Sequence, residues 1–222
     1  MGDQDLTKAR LLEAAGEEFA EKGYESARIR SICQKAGANL AAVNYHFGDK
    51  EQLYIATVLH AHHAGAGAMP EWLTSQTHGP ATQLRLYIRH FLTNIFKSRH
   101  HKDWQQALIL REMIQPTAAS EAVVREAIRP RFERLMTILR QICPEAEERR
   151  LHALIFSVVG QCLHYKVCRP ISELLVGPES YEALDIDFLA DHIASFCLAA
   201  LGQGPTLNEQ GQFAADDPAF TR

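Results

Sequence analysis

No apolar run in the 222 residues approaches the roughly 18 that a membrane-spanning helix needs, so no membrane partner is expected. The opening Met1-Gly2-Asp3-Gln4-Asp5 lacks a basic segment followed by an apolar one, which predicts no secretory signal and a cytoplasmic location. Cysteine is sparse and odd in number: Cys33, Cys143, Cys162, Cys168 and Cys197 form no C-x-x-C pair, a pattern of reduced thiols and not of a disulfide frame or zinc ribbon. Cations are not in excess. With 23 Lys and Arg against 27 Asp and Glu the formal charge is −4, which excludes a polycation, and any contact with nucleic acid must be local. Repeats with a period of about 20 to 50 residues are missing, as are strands of alternating polarity joined by hairpin turns. So are the G-x-S-x-G elbow, the G-x-x-x-x-G-K-[ST] loop, the G-x-G-x-x-G fingerprint and H-E-x-x-H. No enzyme, cofactor or metal is expected; Glu112 and Glu173 read as members of helix-face ion pairs.

What is present is helical. At 46% hydrophobic and 23% charged residues the chain can bury a substantial core. Leu12, Ala15 and Phe19 recur at helical spacing in a first helix that Gly23 stops. Ser26 suits the N-cap of a second, from about Ala27 to Ala36, whose stripe is Ile29, Ile32, Cys33 and Ala36. After Gly37, Asn39 suits the N-cap of a very short third helix, Leu40 to His46. Asp49-x-x-Gln52 then opens a fourth, running to about Ala64. Gly65, Gly67, Pro70, Gly79 and Pro80 punctuate a connection, and further helices are predicted near 81–99, 103–115, 119–141 (kinked at Pro130), 146–167 and 186–201. The class is all-α. Residues 1–66 form an N-terminal domain with its connecting helix, 67–202 a larger helical domain, and 203–222 a disordered tail.

Two short helices separated by Ala36-Gly37-Ala38-Asn39 make a helix-turn-helix. Between Ser26 and Lys50 lie four cations (Arg28, Arg30, Lys35, Lys50) and one acid (Asp49), a local excess of three positive charges in an acidic protein. Such a patch gains affinity by releasing counterions from DNA phosphates. Arg28, in the first turn of the second helix, is well placed for a phosphate, the alternative being a solvated surface arginine.

The run Gly23-Tyr24, Ile29-Arg30-Ser31-Ile32, Ala36-Gly37 and Tyr45-His46-Phe47-Gly48-Asp49-Lys50-Glu51-Gln52-Leu53 resembles the tetracycline-repressor (TetR) family of bacterial transcription regulators, over about residues 7 to 54. The resemblance implies that Tyr45 and Lys50 hold phosphates, while Leu40, Ala41, Ala42 and Asn44 approach base edges, with Asn39 and His46 at the same face. Asn44 could pair with adenine N6 and N7; Leu40 and the alanines could touch only thymine methyls or sugars. Val43 and Phe47 are expected in the core. Three positions depart from the family pattern: Gly16 inside a helix, costing about 1 kcal/mol relative to Ala, Glu18 where an apolar residue is common, and Leu40 where Lys, Arg or a small polar residue is common.

Such proteins pair across a two-fold axis, so a homodimer on a palindromic double-stranded operator is implied. Leu154, Ile155, Val158, Val159, Cys162 and Leu163 form one apolar surface and Phe188, Leu189, Ile193 and Phe196 another. Each is either dimer interface or the monomer's own core, and the sequence leaves both open. The segments Arg111–Thr117 and Ser157–Tyr165 are similar to the CecR-like subgroup, which implies a small, partly apolar effector and transport or efflux genes as targets. Trp104, Arg111, Glu112, Gln161 and Tyr165 are its candidate contacts. The histidines at 60, 62, 63, 100 and 101 read as solvated or capping residues, since no cysteine or carboxylate completes a ligand set. The competing reading is a helical ligand carrier or adaptor without DNA binding.

Overall fold

The computed structural model describes residues 3–65, Pro70, 78–97 and 103–203, and over these the chain is helical with no strand. Residues 204–222, His100, His101 and the connection around Gly67 lie outside the described residues. The helices are α1 Asp3–Ser26, α2 Ile29–Ala36, α3 Leu40–Phe47, α4 Lys50–Gly65, α5 Pro80–Lys97, α6 Asp103–Ile114 and α7 Ala119–Val123. A π-helical turn, Val124–Ile128, leads into α8 Arg129–Ile142, followed by α9 Glu148–Val167, α10 Arg169–Val176, α11 Pro178–Glu182 and α12 Ile186–Ala200. Packing divides the chain into two units, one of Met1–Gly67 with Lys97–Pro130, the other of Ala68–Phe96 with Arg131–Arg222.

In the first unit Leu11, Ala15 and Phe19 turn one face of α1 onto Ile32 of α2, Val43 of α3, and Leu53, Tyr54 and Val58 of α4. Each fully buried large apolar side chain contributes about 1.5–3 kcal/mol. Leu12, expected on the inward stripe, is only half-buried, and Leu11 takes its place. At Gly23 the backbone leaves the helical region (φ 75°, ψ 170°), bending α1 where a stop was expected. Ser26 ends α1 and does not cap α2, which begins at Ile29 with Arg28 in the extended N-cap position.

Helices α6 and α7, which the expected division assigned to the larger domain, share the core of the first unit through Trp104, Leu108, Ala119 and Val123. The Trp104 indole lies against Gly16, donates from Nε1 to Glu13 Oε1 at 2.7 Å, and stacks on His60 at 6.4 Å between ring centres. Gly16, unfavourable by helix propensity, thus supplies the notch that a bulky indole needs. Such long-range packing has no signature in local periodicity.

The second unit is built on α5, α8, α9 and α12, whose inward residues include Leu84, Ile88, Leu92, Leu135, Ile138, Leu151, Ile155, Val158, Leu189 and Ile193. The interruption expected at Pro130 takes the form of the π-helical turn directly before it, because proline supplies no N–H to the ladder and crowds the preceding turn. Helices α10 and α11 were not foreseen. Pro170 and Pro178 sit at their first turns, where a missing N–H costs nothing and the fixed φ suits the helix. All five cysteines are unpaired, and burial pushes the Cys162 thiol up to about 12, which keeps it protonated. Among the described residues no single helix is long and apolar enough to cross a membrane.

Candidate nucleic-acid interface

The turn between α2 and α3 depends on Gly37, whose left-handed backbone (φ 60°, ψ 38°) lets the N–H of Ala38 return to the Cys33 carbonyl at 2.9 Å. Asn39 then caps α3, its Oδ1 accepting the Ala42 N–H at 2.9 Å. Val43 is buried and Ala42 and Phe47 pack partly beside it, fixing the rotation of α3. The opposite face carries Leu40, Ala41, Asn44 and Tyr45, all exposed, with Leu40 at 56% and Tyr45 at 71% of full accessibility. His46 is half-buried between the rings of Tyr45 and Phe47. Since the cap occupies the Asn39 oxygen, Asn44 is the side-chain amide that α3 presents outward.

The cations are arranged less evenly than their spacing suggests. Arg28 and Arg30 are exposed. Lys35 is drawn back to α1, 3.7 Å from Glu17 and 3.5 Å from Glu18. Counting charge only from Ser26 to Lys50 overstates the patch, because the neutralising acids come from another helix. The Lys50 ammonium donates to the Glu25 carbonyl at 3.1 Å and lies 4.9 Å from the centre of the Tyr24 ring, so the end of α1 holds it at the start of α4. Tyr24 is a positioning residue that sequence reasoning missed. It packs in turn on Phe19 and Tyr54. Asp49 caps α4 by accepting the Gln52 N–H at 2.8 Å.

Glu18 organises this corner. Its side chain is fully buried and accepts from Lys22 at 2.8 Å and from the Arg28 backbone N–H at 3.5 Å, at the start of α2. Burial pushes its carboxyl upward, but the hydrogen bonds from Lys22 and Arg28 and the charges of Lys22 and Lys35 outweigh that and hold it below the ordinary value. The departure from an apolar residue at this position is therefore functional in the fold, and Lys22 four residues on was its local signal.

The five candidate effector contacts fall in different units. Trp104, Arg111 and Glu112 lie in the first, Gln161 and Tyr165 in the second. The first three are engaged in the packing of their own unit. Arg111 donates to the Ala20 carbonyl at 3.4 Å, beside the bend at Gly23. Glu112, buried, accepts from Tyr54 Oη at 2.8 Å, the Thr117 N–H at 2.8 Å and Ser120 Oγ at 2.5 Å. Gln161 donates to Ser157 O and Cys197 Sγ, both at 3.4 Å, and the Tyr165 carbonyl accepts from Tyr181 Oη.

The apolar surfaces of α9 and α12 resolve into two faces each. Ile155, Val158, Cys162 and Ile193 lie in the core of their own chain and are closed to a partner, while Leu154 is half-buried against that core. Phe188 and Phe196 are exposed, at 53% and 56%. The outward face of α9, which the sequence reading passed over, carries Ala153, Phe156, Ser157 and Gly160, spaced three and four residues apart.

A capped recognition helix with a polar-tipped exposed face, braced by a second helix across a glycine turn and flanked by cations, defines a helix-turn-helix DNA-binding protein. The description "Bacterial regulatory proteins, tetR family" matches residues 11–57, and "HTH-type transcriptional dual regulator CecR, C-terminal domain" matches residues 80–201. The dual regulator CecR of Shigella flexneri is 28% identical over 187 residues, covering 80% of this chain and 83% of that protein. The repressor SCO4008 of Streptomyces coelicolor is 44% identical over 57 residues, 26% of this chain and 29% of its own. Among solved structures, the hemolysin II regulator HlyIIR has a TM-score of 0.54 at 25% identity, covering 87% of this chain and 98% of that chain. A TetR-like regulator from Rhodococcus sp. RHA1 shares the fold at a TM-score of 0.55 and 17% identity, covering 88% and 96%. The chain belongs to the TetR family of transcriptional regulators and carries a CecR-type C-terminal domain. Its relatives are transcriptional regulators.

Proposed function

We propose that the protein is a homodimeric, effector-released repressor of transport, efflux or stress genes, in which α3 of each protomer enters the major groove of one half of a palindromic operator. The observation that carries this reading is the outer face of α3, where Asn44 and Tyr45 are exposed with Val43 anchored beneath, together with the exposed Arg28 and Arg30 at the start of α2 and Lys50 at the start of α4. Asn44 reads an adenine, Tyr45, Arg28 and Lys50 hold phosphates, and Ala41, Ala42, Asn39 and His46 line the approach. Repression is supported by the names of the relatives AcnR and SCO4008, whereas CecR is named a dual regulator.

Dimerisation is assigned to the outward faces of α9 and α12. Phe156, Phe188 and Phe196 supply large apolar area, and Ala153, Ser157 and Gly160 are small enough to let a partner helix come close. The effector is assigned to the second unit, with Gln161 and Tyr165 as its candidate polar contacts. Titrating operator binding against salt tests the DNA reading. Lys50→Ala weakens binding to every sequence and reduces the salt slope by about one unit per lost contact. An unchanged slope rejects Lys50 as a phosphate clamp.

A further inference from the structure

The leading edge of α3 is apolar, and the structure shows why that matters. Leu40 opens the helix and is 56% exposed, Ala41 beside it is exposed, and Leu40 contributes to neither core. The polar residue ahead of it, Asn39, has its oxygen committed to the Ala42 N–H. Asn39 keeps only its Nδ2 as a donor, the first turn of the helix itself, Leu40 to Val43, carries no polar side chain, and the first amide on its exposed face is Asn44, one turn along. Of the groups that base pairs display in the major groove, only the C5-methyl of thymine gains from apolar contact. The amino groups, carbonyls and ring nitrogens of the other bases would be stripped of water against Leu40 with nothing in return.

We infer that Leu40 is a specificity-determining residue that reads a thymine methyl in each half-site, one helical turn from the base read by Asn44. This rests on the proposed docking of α3 in the major groove. Covering one methyl group is worth about fourfold in affinity per half-site, or about fifteenfold when both halves of a palindrome are counted.

The test uses the full chain and an operator selected by it from random duplexes. Each thymine is replaced singly by deoxyuridine, which removes the methyl and keeps every hydrogen-bonding group. Wild-type protein is expected to lose about fourfold at one symmetric position per half-site. Leu40→Ala, which removes an exposed side chain and leaves both cores intact, is expected to bind thymine and uracil there equally. Leu40→Gln, of similar size, is expected to lose the same discrimination, which guards against an effect of bulk alone. Selection of an operator whose binding is indifferent to uracil at every position overturns the assignment to Leu40 while leaving α3 as the recognition helix. So does sensitivity that persists in both Leu40 variants and disappears in Ala41→Gly. Failure to enrich any duplex over random DNA overturns the recognition reading itself, and the Leu40 assignment with it.

Discussion

Replacing Gly16 by alanine ought to stabilise the protein on helix propensity alone, by about 1 kcal/mol, since the residue lies inside α1. The tertiary structure reverses the sign. A Cβ at Gly16 would stand 2.5 Å from Cδ2 of Trp104 and closer still to Cε3 and Cζ3, well inside contact distance with a rigid ring. That ring is 7% exposed and tied through Nε1 to Glu13, so it cannot step aside without leaving its site. Overpacking costs about 1–3 kcal/mol, and weakening a hydrogen bond to a carboxylate adds about 1.5–3 kcal/mol. After subtracting the propensity gain, Gly16→Ala should destabilise by about 1.5–5 kcal/mol. Urea unfolding measures this as a lower midpoint at unchanged slope. A second substitution supplies the control: in a Trp104→Ala background the clash is gone, and Gly16→Ala should then stabilise by about 1 kcal/mol. The pair must therefore show strong coupling in a double-mutant cycle. If Gly16→Ala raises the midpoint in the presence of Trp104, the notch is not a packing requirement and the reasoning fails.

Glu18 has a carboxyl held below its ordinary value of 4.5 in the folded protein, so its ionic contacts stabilise the fold above that pH and are lost as the pH falls through the folded value. Glu18→Gln should flatten the acid limb of the stability profile as the pH falls below 4.5, as followed by helical circular dichroism, and an identical limb would reject this role. Tyr54→Phe removes one donor to the buried Glu112 carboxylate, and should cost about 1–3 kcal/mol in urea unfolding. Phe156→Asp, on the outward face of α9, should weaken self-association in sedimentation experiments with little loss of monomer stability. Ile193→Ala, in the core of the second unit, should cost about 2–5 kcal/mol. If Phe156→Asp leaves self-association unchanged, the outward face is not the interface.

Much was set by the sequence itself. Gly37, Asn39 and Asp49 encode the turn, the cap of α3 and the start of α4 through interactions that span no more than a few residues, and each is found as local chemistry dictates. The helices are legible for the same reason, since periodicity of three and four residues reports which side chains share a face. Which face turns inward is another matter. On α9 an apolar stripe was visible, but Val158 and Cys162 went to the core while Phe156 stayed outside, because only the positions of α5, α8 and α12 define the inner side. Lys35 and Lys50 carry charge in the sequence, yet their partners, Glu17 and Glu18 for one and the Glu25 carbonyl for the other, come from α1, 17 to 25 residues away. Gly16 and Trp104 lie farther apart still. Short-range hydrogen bonding and backbone sterics fix the elements, whereas packing across long loops decides what each side chain meets. The second depends on positions that no window of neighbouring residues contains.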